Sequence, residues 1–191
     1  MGADTLGQEG VRLRAFFGLP LPESHRAQLD GYLSECASRA PEFRWTPAAN
    51  LHLTVRFLGH LDRAVAERIA DRLEGAELRA FDLRLGEMGT FKRGRLARVV
   101  WIGLETGAEE LSSLATRVEA DCIAAGLEPE GRKFNAHLTL ARARPRDGAV
   151  LPALPPAPAL PVWRADELIL YESRLGRGGS VYEPLRRLRL S

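Results

Sequence analysis

Two short stretches of this chain carry the same chemistry-bearing triplet. Leu51-His52-Leu53-Thr54-Val55-Arg56-Phe57-Leu58-Gly59 and Ala136-His137-Leu138-Thr139-Leu140-Ala141-Arg142 each set a histidine two residues before a threonine. An imidazole titrates close to neutral pH, so one ring of a pair can accept a proton while the other holds one. A threonine hydroxyl beside each ring can donate a hydrogen bond to an anionic oxygen. Grouped around one phosphorus, these side chains suit the attack of water on a phosphodiester. One imidazole takes the proton of the water, and the other protonates the departing oxygen on the far side of phosphorus. The chain has only four histidines, and two of them sit in these triplets. A duplication kept for the fold alone needs Leu53 and Leu138, not the polar pairs beside them. His25 and His60 lack this context and are expected on the surface. The scheme requires no metal and no cofactor. The chain offers no His-Glu-x-x-His, no Cys-x-x-Cys and no clustered carboxylates at metal-ligand spacing.

Positioning these groups is a task for strands. Both stretches are apolar and rich in β-formers, and side chains on a strand alternate faces. His52, Thr54 and Arg56 therefore point one way, and Leu53, Val55 and Phe57 point into a core. Arg56 is thereby a candidate to hold a phosphate oxygen. In the second strand His137 and Thr139 share a face. Arg142 falls on the opposite face by the same count, so a role for it at the site requires a bulge or the end of the strand.

The step from His52 to His137 is an offset of 85, and the match extends beyond the triplets. The same offset carries Val11–Leu19 onto Leu96–Leu104, Gly18-Leu19 onto Gly103-Leu104, and Leu29 and Leu33 onto Leu114 and Val118. The pattern describes a duplicated unit of strand, helix, His-x-Thr strand and further strands. Two such units packed about a pseudo-two-fold axis bring the His-x-Thr faces together across a cleft.

The remaining elements follow from periodicity. Strands are predicted over 11–19, 43–46, 81–88, 96–104, 133–141, 163–171 and 181–190. Leu29, Tyr32, Leu33 and Cys36 mark one face of a helix over 23–39 that stops at Pro41. Val65, Ile69 and Leu73 mark a helix from Asp62 to Gly75, and Leu111, Leu114, Val118 and Cys122 a helix over 108–125 that ends at Gly126. Residues 145–161 carry Pro152, Pro155, Pro156, Pro158 and Pro161, which forbid the helix the offset would place there. An extended surface connection is expected instead. The glycine-rich run Leu175-Gly176-Arg177-Gly178-Gly179-Ser180 opens a strand rather than a helix, so it reads as a hairpin turn and not a phosphate cradle.

At 191 residues, 45% hydrophobic and 27% charged, the chain suits one domain of two lobes with a real core. A net charge of +2 decides nothing about nucleic acid. Residues 1–10 read as a flexible polar leader rather than a secretory signal, and 11–191 as a single bilobal domain. No run is long and apolar enough to span a bilayer, and a cytoplasmic monomer is expected. Cys36 and Cys122 lie on apolar helix stripes and read as buried free thiols.

His52-Leu53-Thr54-Val55 and His137-Leu138-Thr139-Leu140, with Asn50–Gly59, Ala136–Arg142 and Tyr171-Glu172-Ser173-Arg174-Leu175, resemble the paired signatures of the 2H phosphoesterase superfamily. More narrowly, the chain resembles the RNA 2′,3′-cyclic phosphodiesterases, also called 2′-5′ RNA ligase-like proteins, from about Val11 to Leu190. The resemblance implies an α+β, bilobal α/β fold: two pseudo-symmetric lobes, each an antiparallel sheet with helices outside, around a central cleft. It implies metal-independent hydrolysis of an RNA 2′,3′-cyclic phosphate to a 2′-phosphate, and in some members reversible 2′-5′ ligation. By analogy His52 is the proton donor to the leaving 3′ oxygen and His137 the proton acceptor, with Thr54 and Thr139 beside them. The two motifs, nearly identical, do not themselves fix that order. Arg56, Arg142 and Phe17 are further substrate-binding candidates, and Phe91 or Phe134 offers an alternative stacking surface for a terminal base. Lys92 and Arg93, with Arg95 on the loop predicted over 89–95 and Arg98 just after it, form a basic cluster and are candidates to track RNA phosphates. The alternatives are a phosphodiesterase for a small cyclic nucleotide or an ADP-ribose cyclic phosphate, and a non-enzymatic RNA-binding module. A matched acid and base argues against the last, because binding alone needs neither.

Overall fold

A computed structural model describes residues 11–176 and 179–191. The leader expected over 1–10, and Arg177 and Gly178 of the last hairpin, lie outside the described residues. The elements run β1 (Arg12–Pro20), α1 (Glu23–Arg39), β2 (Phe43–Trp45), β3 (His52–Asp62), α2 (Arg63–Glu74), β4 (Phe81–Arg93) and β5 (Leu96–Thr106). They continue with α3 (Ala108–Ala124), β6 (Leu138–Ala143), β7 (Trp163–Ala165), β8 (Glu167–Gly176) and β9 (Gly179–Arg189). The offset that relates the two histidines carries α1 onto α3 end to end. In the Pro-rich stretch, 151–162 form neither helix nor strand.

All strand pairings are antiparallel, in the order β7-β4-β5-β6-β3-β1-β8-β9, with β2 also beside β6. The expectation of a separate sheet in each lobe is thereby modified. Strands of the two halves meet where Leu53 pairs with Leu138, and the sheet is continuous through that point. Both leucines are fully buried, together with Leu19, Leu83, Ile102, Leu111 and Leu140, beneath the three helices. With Leu53 and Leu138 pointing into the core, the residues on either side of each point the other way. The antiparallel register then sets His52 across from Thr139 and His137 across from Thr54.

Other expectations need correction. Residues 89–93 are not a loop, since β4 continues to Arg93 and the β4–β5 hairpin turns tightly around Gly94, whose φ of 60° suits a residue without a side chain. The strand expected over 133–141 begins only at Leu138, and the one expected over 163–171 is broken between β7 and β8 at Asp166. His25 is not a surface residue: it is 2% exposed, its Nε2 lies 2.9 Å from the carbonyl of Pro161, and its ring meets Trp163 edge-on. The Pro-rich connection covers it, a packing no local pattern around His25 announces. Cys36 and Cys122 are free and buried, as expected.

Candidate active site

Both catalytic candidates are oriented by the same backbone device. Nδ1 of His52 lies 2.8 Å from the carbonyl of Asn50, and Nδ1 of His137 lies 2.7 Å from the carbonyl of Asn135. A carbonyl only accepts, so each Nδ1 carries the hydrogen and each Nε2 is left for chemistry. Asn50 and Asn135 are themselves related by the offset of the duplication. Sequence reasoning passed over them, although the comparison that found the histidines also marks them.

The two surroundings differ. His52 sits in an aromatic cage, with Phe16 at 4.6 Å, Tyr182 edge-on at 5.0 Å and Tyr171 at 6.1 Å between ring centroids. Its Nε2 accepts a hydrogen bond from the Thr54 hydroxyl at 3.0 Å. His137 meets Phe91 edge-on at 5.0 Å and Trp101 at 6.2 Å. Among the described residues its Nε2 has no hydrogen-bond partner. Phe16 and Trp101 again occupy equivalent positions of the two halves, so each half supplies its own aromatic wall.

Burial is the main influence on both rings. It pushes the His52 pKa down to about 4, the Asn50 carbonyl working against it and the Arg142 guanidinium pushing it further down. The same causes, with Asn135 in place of Asn50, lower the pKa of His137. Both imidazoles are therefore neutral at pH 7 in the free protein.

Arg142 reaches the site because the strand is irregular. In the β5–β6 pairing Val100 faces Ala141 but Trp101 faces Thr139, so Leu140 is an extra residue and the alternation reverses behind it. That is the bulge which a site role for Arg142 required. The same irregularity occurs at the equivalent place in the first half, where Phe17 pairs with Arg56 and Gly18 with Thr54, leaving Val55 over. There it reverses the expectation for Arg56. Instead of sharing the His52 face, Arg56 turns to α3, with its guanidinium on the Glu119 carboxylate, 3.7 Å from Glu130 and bonded to the carbonyl of Glu128 at 2.8 Å. Phe57 takes the place at the site that Arg56 vacates.

Phe17 also departs from expectation. It is fully buried in the core, and its neighbour Phe16 is the ring that lies against His52. Phe16, Phe57, Tyr182, Arg14, Arg142 and Ser173 line a cavity of about 290 Å³, completed by Ser180, whose wall of Phe16 and Tyr182 is shared with His52. Two guanidinium groups, three aromatic rings and two serine hydroxyls suit a nucleotide. Neither Tyr171 nor Tyr182 was assigned a place at the site from sequence. Of the basic cluster, Lys92 and Arg93 are exposed at the β4–β5 hairpin, and Arg93 is paired with Asp147. No group of three or more His, Cys, Asp or Glu side chains that could hold a metal ion occurs among the described residues, and no described helix is long and apolar enough to cross a membrane.

Comparison with known proteins agrees with this geometry. The family described as LigT like Phosphoesterase matches the chain twice, over residues 19–101 and 102–182, and the chain belongs to that family. The E. coli (strain K12) RNA 2′,3′-cyclic phosphodiesterase is 32% identical over 181 residues, covering 93% of this chain and 97% of that one. The RNA 2′,3′-cyclic phosphodiesterase of Aeropyrum pernix is 39% identical over 93 residues, a match that spans 49% of this chain and 53% of the relative. The crystal structure of E. coli LigT complexed with 3′-AMP superposes with a TM-score of 0.80 at 28% identity, covering 95% of this chain and 99% of that one.

Proposed function

We propose that this chain hydrolyses the 2′,3′-cyclic phosphate at an RNA end to a 2′-phosphate, by acid–base catalysis from two histidines. The observation that carries the reading is the pair of Nδ1-anchored imidazoles on one sheet face, each with a threonine hydroxyl two residues on. Membership of the LigT-like family and the names of the relatives support the same reaction. Water approaches phosphorus in line, and Nε2 of His137 takes its proton as the new P–O bond forms. The bond to the 3′ oxygen breaks, and His52 supplies the proton that the leaving oxygen needs. Thr54, Thr139 and Arg142 stabilise the charge on the non-bridging oxygens. His52 is neutral in the free protein, so it must gain its proton with substrate. A negative charge beside an imidazole favours the protonated form, and the phosphodiester brings that charge.

The test is steady-state turnover of a 2′,3′-cyclic mononucleotide with the product identified by phosphorus NMR. His52→Ala and His137→Ala should each lower the rate by about 10²–10⁴, the range for a positioned acid or base, and the 2′-phosphate should be the product. Excess EDTA should leave the wild-type rate unchanged. Near-wild-type turnover by either folded single variant would overturn the two-histidine mechanism.

A further inference from the structure

Several arginines of this chain are tied to carboxylates: Arg56 to Glu119, Arg93 to Asp147, and Arg186 to Glu67, Asp71 and Glu74 together. The three that gather at the site are not. Arg14, Arg44 and Arg142 form no ion pair among the described residues, and Arg14 has only the Ser173 hydroxyl at 3.2 Å. Arg44 stands directly opposite Arg142 in the β2–β6 pairing. Directly opposite residues share a sheet face, so Arg44 lies on the face that carries Arg142 to the cavity. Its neighbours Phe43 and Trp45 turn the other way, Phe43 fully into the core.

Like charges directly opposite one another destabilise a sheet, and an anion between them removes the penalty. The chain places β2 at this position by giving up pairing elsewhere. β3 leaves β6 after the Leu53–Leu138 contact, and β2 takes up the vacated edge from Trp45 to Phe43. Arg142 thus has a cation on either side, Arg14 across the cavity and Arg44 across the strand pair. Two adjacent phosphates of one RNA strand match that arrangement better than one does. A guanidinium carries five N–H donors in a planar fork, enough for Arg142 to serve the cyclic phosphate and still face a second one.

Resting on the cyclic phosphodiesterase reading above, we propose that Arg44 binds the phosphate joining the terminal nucleotide of the RNA to its neighbour. The chain is then built for oligonucleotide ends in preference to cyclic mononucleotides. Arg44 is a positioning residue for the chain of the substrate and touches no reacting atom.

Two measurements test this independently. The first is binding of a single-stranded pentanucleotide ending in a 2′-phosphate, followed by fluorescence anisotropy across a salt series. Arg44→Ala and Arg44→Gln should weaken it about tenfold and reduce the slope of log K against log salt by about 0.7, the loss of one phosphate contact on a single strand. Arg189→Ala, an exposed arginine on β9, should leave both unchanged. The second is the ratio of kcat/KM for a pentanucleotide cyclic phosphate to that for the cyclic mononucleotide, which should fall by the same factor in both Arg44 variants. An unchanged salt slope and an unchanged ratio would overturn the assignment of Arg44. Failure of the wild type to turn over either substrate would defeat the enzymatic reading instead, and the binding slope would still decide for or against the second phosphate site.

Discussion

Exchanging the fates of two arginines tests the bulges directly. Strict alternation along the strands puts Arg56 at the site and Arg142 away from it, whereas the bulges do the opposite. Consider Arg56→Met and Arg142→Met, which keep much of the side-chain volume and delete the charge. The Arg56 side chain is 12% exposed and that of its partner Glu119 is 24% exposed. Burial works against the Glu119 carboxylate, but the Glu130 N–H at 2.7 Å and Arg56 more than offset it and hold its pKa below the ordinary value. Without Arg56 that carboxylate keeps one hydrogen bond and no counter-charge. Removing one partner of a fully buried pair costs about 3–5 kcal/mol, and partial exposure of this one lowers the figure to about 2–3 kcal/mol. At roughly 2–4 °C per kcal/mol for a chain of this size, Arg56→Met should melt about 4–12 °C below wild type. Its turnover of a cyclic mononucleotide below the melting range should stay within about threefold of wild type. Arg142→Met breaks no ion pair and should melt within about 2 °C of wild type. Its kcat/KM should fall by about 10²–10³, the loss for one donor to a developing negative charge. Thermal melting by circular dichroism and steady-state kinetics on both variants provide the readings. An Arg56→Met protein with wild-type stability and lost turnover would refute the face assignment.

Stability should depend on pH in a defined window. Because the His52 pKa is lowered from 6.5 to about 4 on folding, the unfolded chain binds the proton more readily. The stabilisation is fully present above 6.5 and is lost as pH falls toward 4, by up to about 3 kcal/mol, and His52→Gln should flatten that slope in urea titrations. Ligand charge should reverse the shift: in proton NMR, saturating inorganic phosphate should move the His52 titration midpoint upward, and an unmoved midpoint would contradict the proton-loading step. A methyl group at Gly89 would overlap the Trp101 ring, so Gly89→Ala must displace the indole that flanks His137. It should cost about 1–3 kcal/mol in denaturant unfolding and lower turnover as well.

Much of this molecule was legible because its signals are local. The helices at Glu23–Arg39 and Ala108–Ala124 follow from apolar residues spaced three and four apart, with Pro41 and Gly126 as stops. The histidine and threonine faces follow from alternation over three residues, a span too short for a bulge to disturb. Arg56 lies beyond that span, and there alternation fails; Phe17 was a candidate only as an aromatic ring, and the core takes it up. A bulge is a property of two paired strands, and the sequence of β3 contains nothing that says Val55 rather than its neighbour will be left over. The extent of β4 was missed for a related reason. Lys92 and Arg93 look like loop residues, yet cross-strand pairing with β5 carries the strand to the turn at Gly94. Tyr171 and Tyr182 come from β8 and β9, far along the chain, and only tertiary packing brings them to His52.

The duplication supplies symmetry, but acid–base catalysis needs the symmetry broken, because two equivalent imidazoles would compete for one role. Both halves repeat the asparagine carbonyl, the histidine, the threonine and the bulge at the same offset. They part at the residue that each bulge turns toward the site, Phe57 in the first half and Arg142 in the second. The first half thereby closes His52 among Phe16, Tyr171 and Tyr182 and engages its Nε2 with Thr54. The second half leaves the Nε2 of His137 without a partner among the described residues and contributes the cation. Burial, with that guanidinium adding to it, lowers the pKa of both rings, so neither is charged before substrate arrives. On the mechanism proposed above, a neutral His137 with an open Nε2 is ready as a base from the outset. His52 is held neutral by its burial first and by Arg142 second, and an anion beside both groups favours its protonated form. On that mechanism, the charge that the substrate brings is therefore also the charge that lets His52 take up the proton it later gives away.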